Sequence, residues 1–205
     1  RRSGGSISKI AAMKNAVGNF IDQVTANATG DPATNEDDVT HRIGIVKFSG
    51  NESDQIGNDT YRSDGNTYNY SQAVQDLTSV TGNVQSLKNA VNELAAAGST
   101  RTDFGLNQAQ RVLDGDWQHG LGGAREEAKQ VVVVFTDGEP STFSNWSGGV
   151  AANAVNLAKD LKDDKVTVYT IGMFEDGDPS DTDGRFNKYM KGVSSNYPNA
   201  EVTNW

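Results

Sequence analysis

A carboxylate that could bind a ligand follows an apolar strand pattern near the middle of the chain. The five β-branched or aromatic residues 131–135 lead directly into Thr136-Asp137-Gly138. Such a run predicts a strand buried on both faces, as in parallel sheets. Open α/β sheets bind ligands at the carboxyl ends of their strands. A buried, unpaired charge is very costly, so Asp137 either caps the next turn or binds a ligand, and this segment alone leaves both interpretations open.

A second polar segment lies between two helical patterns and favours the interpretation that Asp137 binds a ligand. It reads Gly98-Ser99-Thr100-Arg101-Thr102-Asp103-Phe104-Gly105-Leu106, and the strand described above ends in Phe135-Thr136-Asp137-Gly138-Glu139-Pro140. In order and spacing the two segments resemble the von Willebrand factor A family, and the order of predicted helices and strands agrees along nearly the whole chain. The resemblance implies that a threonine five residues before the glycine of the first segment, and the aspartate after the fourth strand, help to bind a divalent cation in a metal-ion-dependent adhesion site (MIDAS). The matching positions are Thr100 and Asp137.

The chemistry of these two side chains agrees with that implication. Mg²⁺ and Mn²⁺ are hard ions that prefer oxygen ligands in octahedral geometry, and Ca²⁺ also takes oxygen ligands. A hydroxyl and a carboxylate on separate loops supply part of such a shell, and water and a partner's carboxylate can complete it. The resemblance therefore implies an adhesive contact rather than an enzyme.

One motif implied by the resemblance does not match. The family carries Asp-x-Ser-x-Ser after its first strand, whereas this chain opens Arg1-Arg2-Ser3-Gly4-Gly5. Laid on the motif, Arg1 replaces the aspartate and Gly5 the second serine, which leaves only Ser3. Either the first strand and its motif lie upstream of residue 1, or the site is degenerate. We expect the former, and we expect a further helix after Trp205.

Composition limits the classes of partner. The chain has 205 residues and a formal charge of −9, which disfavours the phosphates of nucleic acids and anionic lipid. It has no cysteine, so zinc-thiolate sites and cysteine nucleophiles are excluded. No apolar stretch approaches the roughly 20 residues that span a bilayer. We expect one domain over residues 1–205, with no nucleic-acid binding and no direct membrane insertion.

Hydrophobic periodicity predicts an α/β fold with a doubly wound, mostly parallel central sheet and helices on both faces. Helices are predicted near 8–26, 83–97, 104–113, 150–161 and 186–193, and strands near 42–48, 72–80, 130–135, 166–171 and 201. Two segments are longer than the connections of such a fold require, and we interpret residues 49–70 and 141–149 as inserted loops. Exposed aromatic residues anchor interfaces, so we predict ligand contacts at Tyr61, Tyr68, Tyr70 and Trp146.

Within the family, the inserts and the segment Ser194-Ser195-Asn196-Tyr197-Pro198 look most like pilus tip adhesins of Gram-positive bacteria. That resemblance implies a secreted protein of the cell wall or pilus. It would serve colonisation or virulence by binding a host or extracellular matrix protein, next to other pilin or cell-wall subunits. The alternative is an intracellular von Willebrand A assembly module that partners an ATPase or metal chelatase. A neighbouring export signal and wall-sorting signal would favour the adhesin, and a nucleotide-binding module would favour the alternative.

Overall fold

The fold is α/β, with a parallel strand pair and packed helices. A computed structural model describes residues 8–30, 39–50, 60–63, 66–69, 71–143, 145–173 and 184–198. Within these ranges the helices are α1 (Lys9–Ala26), α2 (Val84–Asn92), α3 (Thr102–Asp114), α4 (Gly148–Asp163) and α5 (Arg185–Val193), with a short 3-10 turn at Trp117–His119. The strands are β1 (Arg42–Lys47), β2 (Thr60–Ser63), β3 (Asn66–Asn69), β4 (Gln72–Ser79), β5 (Val131–Thr136), β6 (Ser141–Thr142), β7 (Asn145–Trp146) and β8 (Thr167–Gly172). The last predicted strand, near Glu201, lies outside the described residues.

The chain divides into two compact units, each with its own apolar core. The first unit is Arg1–Ile45 with Val74–Ala96, and the second is Val46–Ala73 with Ala97–Trp205. The strand pair β1–β4 lies mainly in the first unit, and the pair β5–β8 lies in the second. None of the helices in the described ranges is long and apolar enough to cross a membrane.

Helices α1 and α2 pack together in the first unit. Ser8 caps α1, because its hydroxyl accepts a hydrogen bond from the Ala11 amide at 3.3 Å and satisfies a donor that the first turn cannot use. The α1 residue Ile21 is fully buried in the core of the unit, whereas its neighbour Phe20 is 42% exposed. The core of this unit consists of Ile21, Ile45, Val80, Leu87 and Val91.

Helix α2 is shorter than the sequence predicts. The periodicity predicts a helix over 83–97, but α2 ends at Asn92. Lys14 of α1 donates a hydrogen bond to the Asn92 carbonyl at 2.7 Å and satisfies one acceptor of the last turn. Residues 93 and 95–97 are exposed, so this stretch has little apolar packing. Helices in proteins depend on such packing, so nothing prolongs α2.

The second unit is built on a parallel strand pair. β5 and β8 pair from Val131 opposite Thr167 to Thr136 opposite Gly172. Helices α3, α4 and α5 cover this pair with a core that includes Leu106, Ala154, Val168 and Tyr189. The prediction that residues 131–135 are buried on both faces is wrong for most of the run, since only Val134 is buried and Val131 is 43% exposed. Val131 is exposed because, in the described part of the chain, β5 pairs only with β8.

The two predicted inserted loops contain short hairpins. Within 49–70, β2 and β3 pair antiparallel, with Thr60 opposite Asn69. Within 141–149, β6 and β7 pair antiparallel, with Ser141 opposite Trp146. Neither hairpin was predicted, because these polar stretches lack the apolar alternation that identifies strands. In each hairpin, the hydrogen-bonded ladder joins two backbone segments that are neighbours in sequence.

Close packing of Phe48 on α3 determines the residue at position 105. A Cβ atom at Gly105 would lie 2.7 Å from Cδ1 and 3.0 Å from Cβ of Phe48. Such distances are shorter than van der Waals contact, and the clash reaches the fixed root of the ring. Glycine at 105 therefore lets α3 approach the residue that follows β1.

We expect Gly105→Ala to lower the free energy of unfolding by about 1–3 kcal/mol, because the Phe48 ring must shift to admit the methyl group. Gly18→Ala is the matched control, since a Cβ there meets no atom within 4 Å. It lies inside α1, where alanine is favoured over glycine by about 0.5–1 kcal/mol. In denaturant unfolding, the two variants should change the free energy of unfolding in opposite directions. Destabilisation by both would contradict this account of position 105.

Candidate metal centre

The loop that carries Thr100 is fastened to the segment that follows β5. The Thr100 amide donates a hydrogen bond to the Ser141 hydroxyl at 2.9 Å. In return, the Ser141 amide donates to the Thr100 carbonyl at 3.0 Å. Ser141 is buried, so water competes little for these bonds. They fix the entry to α3 against the start of the β6–β7 hairpin.

The turn after β5 brings Gly138, the residue after Asp137, beside the Thr100 side chain. The Thr136 hydroxyl donates to the Gly138 carbonyl at 3.0 Å and accepts from the Gly138 amide at 3.4 Å. This closes a tight turn around Asp137, which is exposed. A Cβ atom at Gly138 would lie only 3.3 Å from Oγ1 of Thr100. The two loops predicted to supply ligands therefore meet, and glycine at 138 leaves room for the Thr100 hydroxyl.

The base of the first inserted loop lies next to the same site. The Ser71 hydroxyl donates to the Ser49 carbonyl at 2.9 Å and accepts from the Ser49 amide at 3.2 Å, which joins the two ends of the insertion. The Ser99 amide donates to the Gly50 carbonyl at 2.7 Å, and the Ser49 hydroxyl donates to the Ala97 carbonyl. The insertion thus begins and ends beside the segment that leads to Thr100.

The first turn of α3 contains a buried ion pair. The guanidinium of Arg101 donates from Nε to Oδ1 and from Nη2 to Oδ2 of Asp103, both at 2.9 Å. Oδ1 also accepts the Phe104 amide at 3.0 Å, and the guanidinium lies 3.4 Å from the Phe104 ring centroid. Both charged side chains are at most 10% exposed. This bidentate pair neutralises Asp103, so its carboxylate is not offered to a cation.

Helix α5 packs under this turn through Tyr189. Tyr189 is fully buried, and burial raises the pKa of its hydroxyl, with the Asp103 carboxylate adding to the increase. At neutral pH the phenol is therefore protonated and carries no charge.

Helix α5 also holds the Asp137 turn through its first residue. Arg185 makes a two-pronged ion pair with Glu139, with Nε donating to Oε1 at 2.8 Å and Nη2 donating to Oε2. The same guanidinium lies 4.8 Å from the Trp146 ring centroid. A bidentate arginine contact fixes orientation as well as distance. Arg185 thus restrains the backbone two residues after Asp137.

The aromatic residues predicted to contact a ligand fall into two groups. Trp146 is partly buried, packs against the core of the second unit and lies beneath Arg185. Tyr61 and Tyr68 are paired across the β2–β3 hairpin by backbone register, and Tyr70 lies outside the described residues. Ligand contact by these four residues stays a prediction.

The donor set fits a hard divalent cation in part. Thr100 supplies a neutral hydroxyl and Asp137 a carboxylate, and both are oxygen ligands of the kind that Mg²⁺ and Mn²⁺ prefer. In the described part of the chain no three histidine, cysteine, aspartate or glutamate side chains cluster tightly enough to hold an ion by themselves. Further oxygen donors are needed to complete an octahedral shell.

Sequence reasoning missed the residues that hold these loops in place. Ser141, Gly138 and Arg185 were not predicted as parts of the site. The spacing of Arg101 and Asp103 is a usable signal, because opposite charges in the first turn of a helix can pair locally. The contacts of Ser141 and Arg185 span 41 and 46 residues, and no local pattern reports them.

Comparison with known proteins agrees with this fold. A family model described as von Willebrand factor type A domain matches residues 3–197. A structure of proximal thread matrix protein 1 from the mussel byssus is similar over 91% of this chain, with 17% identity and a TM-score of 0.54. A structure of that protein with a zinc-occupied MIDAS motif is similar over 92% of this chain, with 18% identity and a TM-score of 0.52.

A structure of the manganese-loaded TRAP protein of Plasmodium vivax aligns with 91% of this chain at 20% identity and a TM-score of 0.49. The chain spans 35% and 37% of the two mussel protein chains and 57% of the TRAP chain. Comparison with curated protein sequences gives no match.

We expect Asp103→Asn to lower the free energy of unfolding by about 3–5 kcal/mol, since it leaves the Arg101 charge buried without its partner. The double variant Arg101→Met/Asp103→Leu should recover most of that loss, because it removes both charges and keeps apolar volume. Denaturant unfolding measures both. An ordinary surface change alters the free energy of unfolding by no more than about 0.5 kcal/mol. A change that small in Asp103→Asn would show that the ion pair contributes little to stability.

Proposed function

Because the chain belongs to the von Willebrand factor type A domain family, we propose that it is a metal-ion-dependent adhesion module. In this proposal Thr100 and Asp137 hold a divalent cation, Mg²⁺ or Mn²⁺, and an acidic side chain of another protein occupies an open position on that ion. The chain acts by binding and catalyses no reaction. The observation that supports this most directly is the approach of the Thr100 hydroxyl to the Asp137-Gly138 turn.

The chemistry of the site supports an adhesive role. A divalent cation that receives one carboxylate from the chain keeps a positive charge and attracts a second carboxylate strongly at close range. The bound ion would supply that attraction. The Thr136 turn and the Thr100–Ser141 hydrogen bonds would hold the two loops that carry its ligands. The structure of the mussel byssus protein has zinc in its MIDAS motif, which supports a divalent ion at the corresponding site here.

The partner and the location follow from the sequence resemblance and are part of the proposal. We propose an extracellular host or matrix protein as partner and the cell wall or pilus of a Gram-positive bacterium as location. The first inserted loop supports a broad contact, since its two ends are fastened to each other and to the segment before Thr100.

We expect Asp137→Ala to abolish Mn²⁺ binding and Thr100→Val to weaken it, because each removes an oxygen ligand. Isothermal titration calorimetry with MnCl₂ is the measurement, and circular dichroism melts should be unchanged since Asp137 is exposed. Asp160→Ala is the matched control, because it removes an exposed carboxylate from α4 and should leave Mn²⁺ affinity unchanged. Equal affinity of the Asp137 variant and the parent would refute the assignment.

The space beside Gly138 gives a second test. The methyl group of Gly138→Ala would lie about 3.3 Å from Oγ1 of Thr100 and crowd that hydroxyl. We expect weaker Mn²⁺ binding with little loss of stability, because the backbone at 138 needs no positive φ. Calorimetry and a thermal melt measured in parallel separate the two effects. Undiminished Mn²⁺ affinity would show that the Thr100 hydroxyl is not a ligand.

A further inference from the structure

The hairpin beside the proposed metal site carries an exposed aromatic residue at its turn. β6 ends at Thr142 and β7 begins at Asn145, so Phe143 is the first of two connecting residues. Its φ angle is +48°, and its side chain is 62% exposed. Two-residue hairpin connections favour primed turns, in which the first central residue has positive φ.

Phenylalanine is a poor choice for that backbone conformation. Glycine, asparagine and aspartate adopt positive φ readily, whereas a bulky residue with a Cβ is strained there. Burial of the ring does not offset the strain, because most of the ring faces solvent. Trp146, in the same hairpin, is partly buried against the core and beneath Arg185. The hairpin therefore buries one aromatic ring and exposes the other at a cost in stability.

The distance of Phe143 from the site is limited by the two hydrogen bonds between Thr100 and Ser141. The Ser141 amide donates to the Thr100 carbonyl at 3.0 Å, and the Ser141 hydroxyl accepts from the Thr100 amide at 2.9 Å. By standard bond lengths the Cα atoms of the two residues therefore lie within about 7 Å of each other. Two further residues of chain reach at most about 7 Å. Phe143 thus lies within about 14 Å of Thr100 by these chain dimensions, close enough for one partner segment to reach both.

We propose that Phe143 is a second recognition point for the partner and selects an apolar side chain near the acidic one. This inference rests on the proposed function, since the acidic side chain is the one that the metal binds. An extended peptide rises about 3.3 Å per residue, so a separation of up to about 14 Å corresponds to roughly two to four residues. The partner segment would carry an aspartate or glutamate with a leucine- or phenylalanine-like residue two to four positions away.

The test uses immobilised synthetic peptides with the protein in MnCl₂. Each peptide has one aspartate in a Gly-Ser background, with a single leucine placed one to six positions to either side, and matched peptides have serine in place of leucine. When leucine lies two to four positions from the aspartate, the parent protein should bind the peptide with about tenfold higher affinity than its serine counterpart. This is the affinity expected from burying one such side chain. EDTA should abolish all binding.

Phe143→Asn isolates the contribution of the ring, because asparagine tolerates positive φ. We expect this variant to lose the leucine preference, to bind the serine peptides and Mn²⁺ like the parent, and to melt at an equal or higher temperature. Trp117→Asn is the control, since Trp117 is 85% exposed but lies beyond the far end of α3, about 20 Å along that helix from Thr100. It should keep the leucine preference.

The outcomes separate the two proposals. Metal-dependent binding of aspartate peptides with no leucine preference, or a preference that survives in Phe143→Asn, overturns the role of Phe143 and leaves the proposed function standing. Absence of any Mn²⁺-dependent binding, together with unchanged calorimetry in Asp137→Ala, overturns both. Loss of Mn²⁺ binding in Phe143→Asn would also overturn the inference, because the ring would then act on the site itself.

Discussion

Two hydrogen bonds between Thr100 and Ser141 connect the parts of the molecule on which the candidate site depends. They join the entry to α3 with the segment after β5, two stretches that are 41 residues apart in sequence. Without them, the Thr100 hydroxyl and the Asp137 turn would be carried by independent loops. Side chains that share one ion must be held to a fraction of an ångström, and loops alone rarely achieve this. Ser141 is buried, which strengthens these bonds relative to hydrogen bonds in water.

Helix α5 supports both loops from a single rigid element. Its first residue, Arg185, restrains Glu139 two positions after Asp137. One turn further along, Tyr189 packs beside Thr102 and Asp103, two to three positions after Thr100. The carboxyl end of the helix is held in turn by Lys162, whose ammonium donates to the Gly192 carbonyl at 3.0 Å. The two loops therefore share a support as well as a direct link, and a displacement of α5 would change both.

The sequence predicts the order of elements and the two site loops but not the contacts that hold them. Runs such as 131–135 and the helical face of α1 depend on local periodicity, which propensity and burial reinforce. The meeting of Thr100 and Asp137 came from a family resemblance, since local pattern does not show which loops converge. Exposure was harder to predict. Phe143 and Trp146 are both aromatic residues in a polar stretch, and only the direction of the hairpin decides that Trp146 packs inward while Phe143 faces solvent.

The charges around the site favour recognition at short range over attraction at long range. The chain carries a formal charge of −9, so an acidic partner is repelled at a distance, although salt screens that repulsion beyond about 8 Å. Near the site, attraction replaces this repulsion. Arg101 neutralises Asp103, and Arg185 neutralises Glu139, so the proposed cation would face the Asp137 carboxylate with its remaining charge directed outward. An acidic side chain gains this attraction only when it reaches the ion. A separate apolar contact, such as the one proposed for Phe143, then adds affinity that does not depend on charge and that salt does not screen.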